Sequence, residues 1–269
     1  GRPDEIVWFE RPLKKKLRQA FTGEWGEVKI PLPSSYLDSC GVNAPIEYVD
    51  HHLSHASGGF FTSGFEDASV LVVDAIGEFV TTSIWTASPA KGLKRVFDQS
   101  YPHSIGLFYS AITHRVGLKP NEEEFILMGM AAYGVPRFYD VILRDLIDIS
   151  HAPNFELKRN LHLGCMDWLV DSIVTEQDGF DLAASTQKVV EDYMLATTSW
   201  IAKNLPSRNL VISGGVALNC VANEKIAASS QFDNVWIMPN PGDAGSSLGA
   251  VAAYLQKPLD WKHPYLGTN

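Results

Sequence analysis

Cysteine is scarce in this sequence: Cys40, Cys165 and Cys220 are the three thiols among 269 residues. They lie far apart and form neither a C-x-x-C pair nor an even set. That excludes a disulfide framework and fits reduced thiols in the cytoplasm, the expected location. Long apolar runs are missing as well, none approaching the roughly 20 residues that span a bilayer. The N-terminus is polar and charged and lacks the apolar stretch of a signal peptide. No internal repeat and no low-complexity segment is present. Positive charge is in deficit, the formal net charge being −9, so neither nucleic acid nor an anionic membrane is an expected partner. The basic run Lys14-Lys15-Lys16-Leu17-Arg18 is the exception and reads as a solvated surface stretch. An initiator Met is lacking too, and the chain is expected to be a processed product or a fragment.

What is present is a composition of 45% hydrophobic and 20% charged residues, enough for one large domain or two small ones. Glu5 to Phe9 and Ile46 to Val49 are short strand candidates. Asp50-His51-His52-Leu53-Ser54-His55-Ala56 reads as a helix turn, with Ser57-Gly58-Gly59 as its permissive end. Ser69 to Asp74 is a continuous β-branched run, hence a buried strand. Phe79 to Trp85 and Leu93 to Phe97 follow after short turns, which predicts an antiparallel meander. Helices are expected over Ile105–Val116, Glu122–Tyr133, Leu182–Leu205, Leu218–Ser229 and Ala244–Leu255. Strands are expected at Asn209–Ile212 and Val235–Met238. Strand–turn–helix units of this kind predict an α/β sheet with helices on its faces. His151 to Asp181 yields no motif, and Cys165 and Trp168 within it are expected to pack.

Several loops carry residues suited to chemistry. His51 and His55, four apart on a helix, point to one face and suit a shared metal ion; packing or capping is the plain alternative. Asp74 ends a strand, before the turn Ala75-Ile76-Gly77-Glu78, where a carboxylate reaches a cation and backbone N–H groups approach phosphate. Shaping the turn is the alternative there. Ser213-Gly214-Gly215-Val216-Ala217-Leu218-Asn219 joins strand to helix and lets the backbone lie close to an anion or ribose. Asp243, in Pro239-Asn240-Pro241-Gly242-Asp243, sits at a helix N-cap or else aims at the histidines. Two imidazoles and two carboxylates form a mixed set suited to iron, zinc or manganese.

These motifs, in this order, resemble the nodulation-type and antibiotic-type O-carbamoyltransferases. The resemblance rests on His51 to Ala56, Val72 to Glu78, Ser104 to Tyr109, Leu127 to Gly134, Ser213 to Asn219 and Pro239 to Gly245. It is shared in part with the tRNA threonylcarbamoyl-adenosine synthases. It implies an actin–hexokinase-like (ribonuclease H-like) α/β fold, a mixed sheet flanked by helices. It also implies that the N-terminal part of the domain is missing. Residues 1–68 would be the remnant of a first nucleotide-binding subdomain and 69–269 a second. The family's C-terminal domain would be absent, following a segment like His263-Pro264-Tyr265-Leu266-Gly267.

The resemblance further implies ATP, with Mg2+, and carbamoyl phosphate as substrates. Carbamoyl-adenylate would form, and the carbamoyl group would pass to a small-molecule hydroxyl acceptor. His51, His55, Asp74 and Asp243 would ligate a divalent metal, iron first, with zinc or manganese as alternatives. His51, His55 and Asp74 would be catalytic. Gly77, Glu124, Gly129, Gly214, Gly215 and Asn219 would contact the nucleotide. A separate chain supplying the missing segments is the expected macromolecular partner. Two other functions compete: a fragment that holds nucleotide or metal without turnover, and a kinase of the same superfold. Sugar kinases generally lack the His-x-x-x-His pair, which weighs against the kinase.

Overall fold

The computed structural model describes residues 3–259; the segment His263 to Gly267 lies outside the described residues. The chain runs β1 (Ile6–Trp8), α1 (Pro12–Thr22), α2 (Trp25–Val28), α3 (Pro33–Ser39), β2 (Ile46–Tyr48) and α4 (His51–Ser63). The meander follows as β3 (Ala68–Val73), β4 (Val80–Ser88) and β5 (Gly92–Ser100). Next come α5 (Ile105–Arg115), α6 (Glu124–Met130), α7 (Tyr139–Asp145), the short β6 (Ile147–Asp148) and β7 (Glu156–Leu157), and the long α8 (Glu176–Asn204). The last units are β8 (Asn209–Ser213), α9 (Cys220–Ala228), β9 (Asn234–Ile237) and α10 (Ser246–Leu255).

Five strands form the central sheet in the order β5-β4-β3-β8-β9. β4 is antiparallel to both β3 and β5, whereas β3, β8 and β9 run parallel. The mixed sheet and the meander are as the sequence leads one to expect. β3 reads as an unbroken apolar run because both its faces are covered. Leu71 and Val73 join Phe108, Ile112, Tyr193 and Met194 in one core. Val70 and Val72, alternating to the other face, join Phe60, Phe61 and Ala252 in a second core. α5 and α8 therefore cover one face, and α4 with α10 the other. Among the described residues, no helix is long and apolar enough to cross a membrane.

Two boundaries differ most from the sequence reading. Ser57-Gly58-Gly59 does not end the histidine helix; α4 continues to Ser63 and stops at Gly64, whose φ is +73°. The inner glycines serve packing instead. A Cβ on Gly58 would lie 3.1 Å from Gly249 Cα of α10, and one on Gly59 would lie 2.6 Å from Val211 Cγ1 of β8. α8 begins at Glu176, ahead of the expected Leu182, because Thr175 and Asp178 form a reciprocal capping box. Cys165 and Trp168 are buried in the core.

Candidate metal centre and adjoining cavity

Three chain segments bring the centre together at the C-terminal edge of the parallel strands, the usual place for ligands in open α/β sheets. Asp50 caps α4, its side chain accepting from Leu53 N at 3.2 Å. That fixes His51 as the first helical residue and His55 one turn later, on the same face. Asp74 leaves the end of β3, and Gly215 N donates to its Oδ1 at 3.1 Å, so the turn after β8 orients the carboxylate. Asp243 opens a short 3-10 turn before α10 and makes no capping bond. Its carboxylate turns to the histidines instead. Gly214, at φ +91°, is required by the approach of this turn to the Val73 carbonyl.

One ligand atom from each of His51, His55, Asp74 and Asp243 lies within 4.8 Å of every other. His51 Nε2 is 3.0 Å from Asp74 Oδ2, 3.1 Å from His55 Nε2 and 3.4 Å from Asp243 Oδ1. His55 Nε2 is 3.2 Å from Asp243 Oδ1. One N–H hydrogen on His51 cannot serve three such neighbours, whereas a single cation can. Metal–ligand bonds of about 2.0–2.1 Å place adjacent ligand atoms roughly 3.0–3.4 Å apart, close to these spacings. Two carboxylates and two neutral imidazoles also balance a divalent charge. The residues fit such an ion.

Without a cation, the two carboxylates draw a proton onto His51, which a metal ion would displace. Burial alone would lower the His51 pKa, but its bonds to Asp243 and Asp74 outweigh that and raise it to about 10. Burial would raise the Asp74 and Asp243 carboxyls, yet the bonds and charges of the histidines hold both well below the ordinary range. His52 turns away, its Nδ1 lying 2.7 Å from Ser83 Oγ. Burial first, then the His51 charge, lowers its pKa.

A cavity of about 920 Å³ opens beside the centre, with Asp74 and Asp243 in its wall. The imidazoles lie beneath them, each only 2% exposed. Of the expected nucleotide contacts, Glu124, Gly215 and Asn219 line this cavity, and Gly77, Gly129 and Gly214 do not. Glu124 accepts from Ser110 Oγ at 2.6 Å and from Asn121 N at 2.6 Å. Gly77 makes room for an imidazole: a Cβ there would sit 2.5 Å from His51 Cδ2. Gly129 faces open space.

Sequence reasoning missed Gln187. It pairs with Asn219 through two amide hydrogen bonds of 2.9 and 3.0 Å, and accepts from Tyr109 Oη at 3.1 Å. Asn219 also caps α9 through Ala222 N. The available signal was position: Gln187 shares the core-facing stripe of α8 with Ala183, Val190 and Met194, where a polar side chain needs a buried partner.

Residues 37–252 match the family described as "Carbamoyltransferase N-terminus". The chain belongs to that family. An uncharacterised protein of Synechocystis sp. is 37% identical to it, over 98% of this chain and 51% of that protein. Nodulation protein NolNO of Sinorhizobium fredii is 29% identical over 77% of this chain and 31% of its own length. Nodulation protein NolO of Bradyrhizobium diazoefficiens is 29% identical over 76% and 37%. The chain thus spans between 31% and 51% of these curated relatives. Among solved structures, the activator of the 2-hydroxyisocaproyl-CoA dehydratase from Clostridium difficile with bound ADPNP aligns with a TM-score of 0.49 at 15% identity, over 78% of this chain and 66% of that one.

Proposed function

We propose that this chain is the nucleotide- and metal-holding part of an ATP-dependent O-carbamoyltransferase. Carbamoyl phosphate would be hydrolysed to carbamate and phosphate, carbamate would attack ATP to give carbamoyl-adenylate and pyrophosphate, and the carbamoyl group would then pass to an acceptor hydroxyl with release of AMP. Family membership supports the carbamoyl chemistry. The observation that carries the rest is the convergence of His51, His55, Asp74 and Asp243 at the wall of a cavity of about 920 Å³. Pockets of 300–1,000 Å³ suit a small molecule of nucleotide size.

The chain's own residues have distinct tasks in this reading. His51, His55, Asp74 and Asp243 would hold the divalent ion, iron, zinc or manganese. Such an ion supplies Lewis-acid polarisation of a phosphoryl or carbamoyl oxygen. Gly215 N–H fixes the Asp74 carboxylate, and the Gly77 gap fixes the His51 ring, so neither group reorients during reaction. Glu124 and Asn219 face the cavity as hydrogen-bonding groups for a ribose or base. Gln187 locks the Asn219 amide in one orientation. The acceptor site and the remaining substrate contacts would come from the rest of a protein as long as the relatives, or from a separate chain.

The test is the product pattern with ATP, carbamoyl phosphate and a hydroxyl acceptor, read by mass spectrometry. AMP and pyrophosphate should appear only when carbamoyl phosphate is present. ADP would instead point to a kinase. Nucleotide retention without turnover would point to a binding module.

A further inference from the structure

We infer that Glu10 is a positioning residue for His51, holding the Nδ1 proton so that the Nε2 lone pair faces the cation site. The inference rests on the metal-holding reading above and concerns a residue outside the segment that matches the family, residues 37–252.

The imidazoles both turn Nε2 toward the carboxylates, so each must keep its proton on Nδ1 to ligate through Nε2. For His55, Nδ1 meets Ser246 Oγ at 3.3 Å. For His51, Nδ1 is buried and has no hydrogen-bond partner. The group facing it is the Glu10 carboxylate, with Oε2 at 3.9 Å. Glu10 is itself buried, 8% exposed, which a carboxylate tolerates only with compensation. Lys15 Nζ supplies part of it, donating to Oε1 at 2.8 Å and leaving Oε2 for the imidazole. A shift of about 1 Å brings Oε2 and Nδ1 into hydrogen-bonding range.

The segment around Glu10 is anchored at several points. Ser54 Oγ of α4 donates to Phe9 O at 3.0 Å. Arg11 N donates to Glu78 Oε1 at 2.8 Å, and the Arg11 guanidinium lies 3.7 Å from Asp50. Phe9 packs on the His51 ring at 5.9 Å between centroids. The loop between β1 and α1 is thus held against the N-terminus of the ligand-bearing helix and against the turn after Asp74. A carboxylate behind a metal-bound imidazole fixes its tautomer and ring direction and raises its basicity, and losing one typically weakens metal binding ten- to a hundredfold.

The experiment is Zn2+ titration of the wild-type chain and of the Glu10→Gln and Glu10→Ala variants, with thermal unfolding of each metal-free protein alongside. Wild type should bind one Zn2+, and both variants should bind it roughly ten- to a hundredfold more weakly. Glu10→Gln, of the same shape, should keep its unfolding midpoint, a split that a merely structural role would not give. Variants that bind Zn2+ as tightly as wild type would overturn the role of Glu10 and leave the metal reading intact. Failure of the wild type itself to bind would sink both. Should the variants not fold, 15N-histidine spectra of Zn2+-loaded wild type decide the matter: Nε2 ligation with a protonated Nδ1 supports the inference, and ligation of His51 through Nδ1 overturns it.

Discussion

At the residue scale, the histidines owe their position to what stands beside them. Gly77 is the sharpest case. Its Cβ position lies 2.5 Å from His51 Cδ2, so a methyl group there and the ring cannot both stay in place. Gly77→Ala should therefore cut affinity for a divalent cation about tenfold or more, judged against losses from displaced second partners. The check is Zn2+ titration, with circular dichroism showing the fold retained; unchanged affinity would mean the ring is not held by this contact. The thiols give a second prediction. Burial pushes the Cys165 thiol up to about 11, while Cys40 and Cys220 are exposed. Iodoacetamide at pH 8 should label Cys40 and Cys220 in the folded chain and Cys165 only after denaturation, as mapped by peptide mass spectrometry. Unfolding returns Cys165 to its ordinary value near 9, so its neutral form stops favouring the fold as pH rises from about 9 through about 11.

At the scale of elements, two devices set the geometry that the site depends on. The first is glycine contact between α4 and α10. A Cβ on Gly249 would run into the Ser54 carbonyl, a backbone atom that cannot step aside. Gly249→Ala should push the helices apart and cost about 1–3 kcal/mol, seen as a lower unfolding midpoint. A midpoint equal to wild type would show that the helices separate freely. The second is the capping box of α8. Thr175→Ala removes the acceptor for Asp178 N and should cost about 0.5–2 kcal/mol in denaturant unfolding. Both devices also mark where sequence reading failed. Gly58-Gly59 looks like a helix end because glycine is a poor helix former; only the packing of α10 on Gly58 and of β8 on Gly59 reveals why they are there. The start of α8 was hidden because Gly179 interrupts the apolar periodicity and the box uses Asp where Glu or Gln is usual.

At the scale of the whole molecule, much was legible because local chemistry and topology agree. The unbroken β-branched run of β3 announced a strand covered on both faces, and the short turns around it announced the meander. The convergent set was legible in part: His51 and His55 share a helical face, Asp74 and Asp243 each follow a strand, and the resemblance to the carbamoyltransferases implied that the four belong together. That these four meet depends on the parallel pairing of β3, β8 and β9, which no local pattern states. Glu10, Gln187 and the gap at Gly77 were not legible, since each acquires its role only through a neighbour distant in sequence. The four candidate ligands, His51, His55, Asp74 and Asp243, all lie within this chain.

The most direct test is therefore a crystal of the chain grown with Zn2+ and examined by anomalous scattering at the zinc edge. A single strong peak bonded to His51 Nε2, His55 Nε2 and carboxylate oxygens of Asp74 and Asp243, absent in His55→Ala, is the expected result. A fully occupied zinc elsewhere, with these four side chains linked only to one another, would contradict the account.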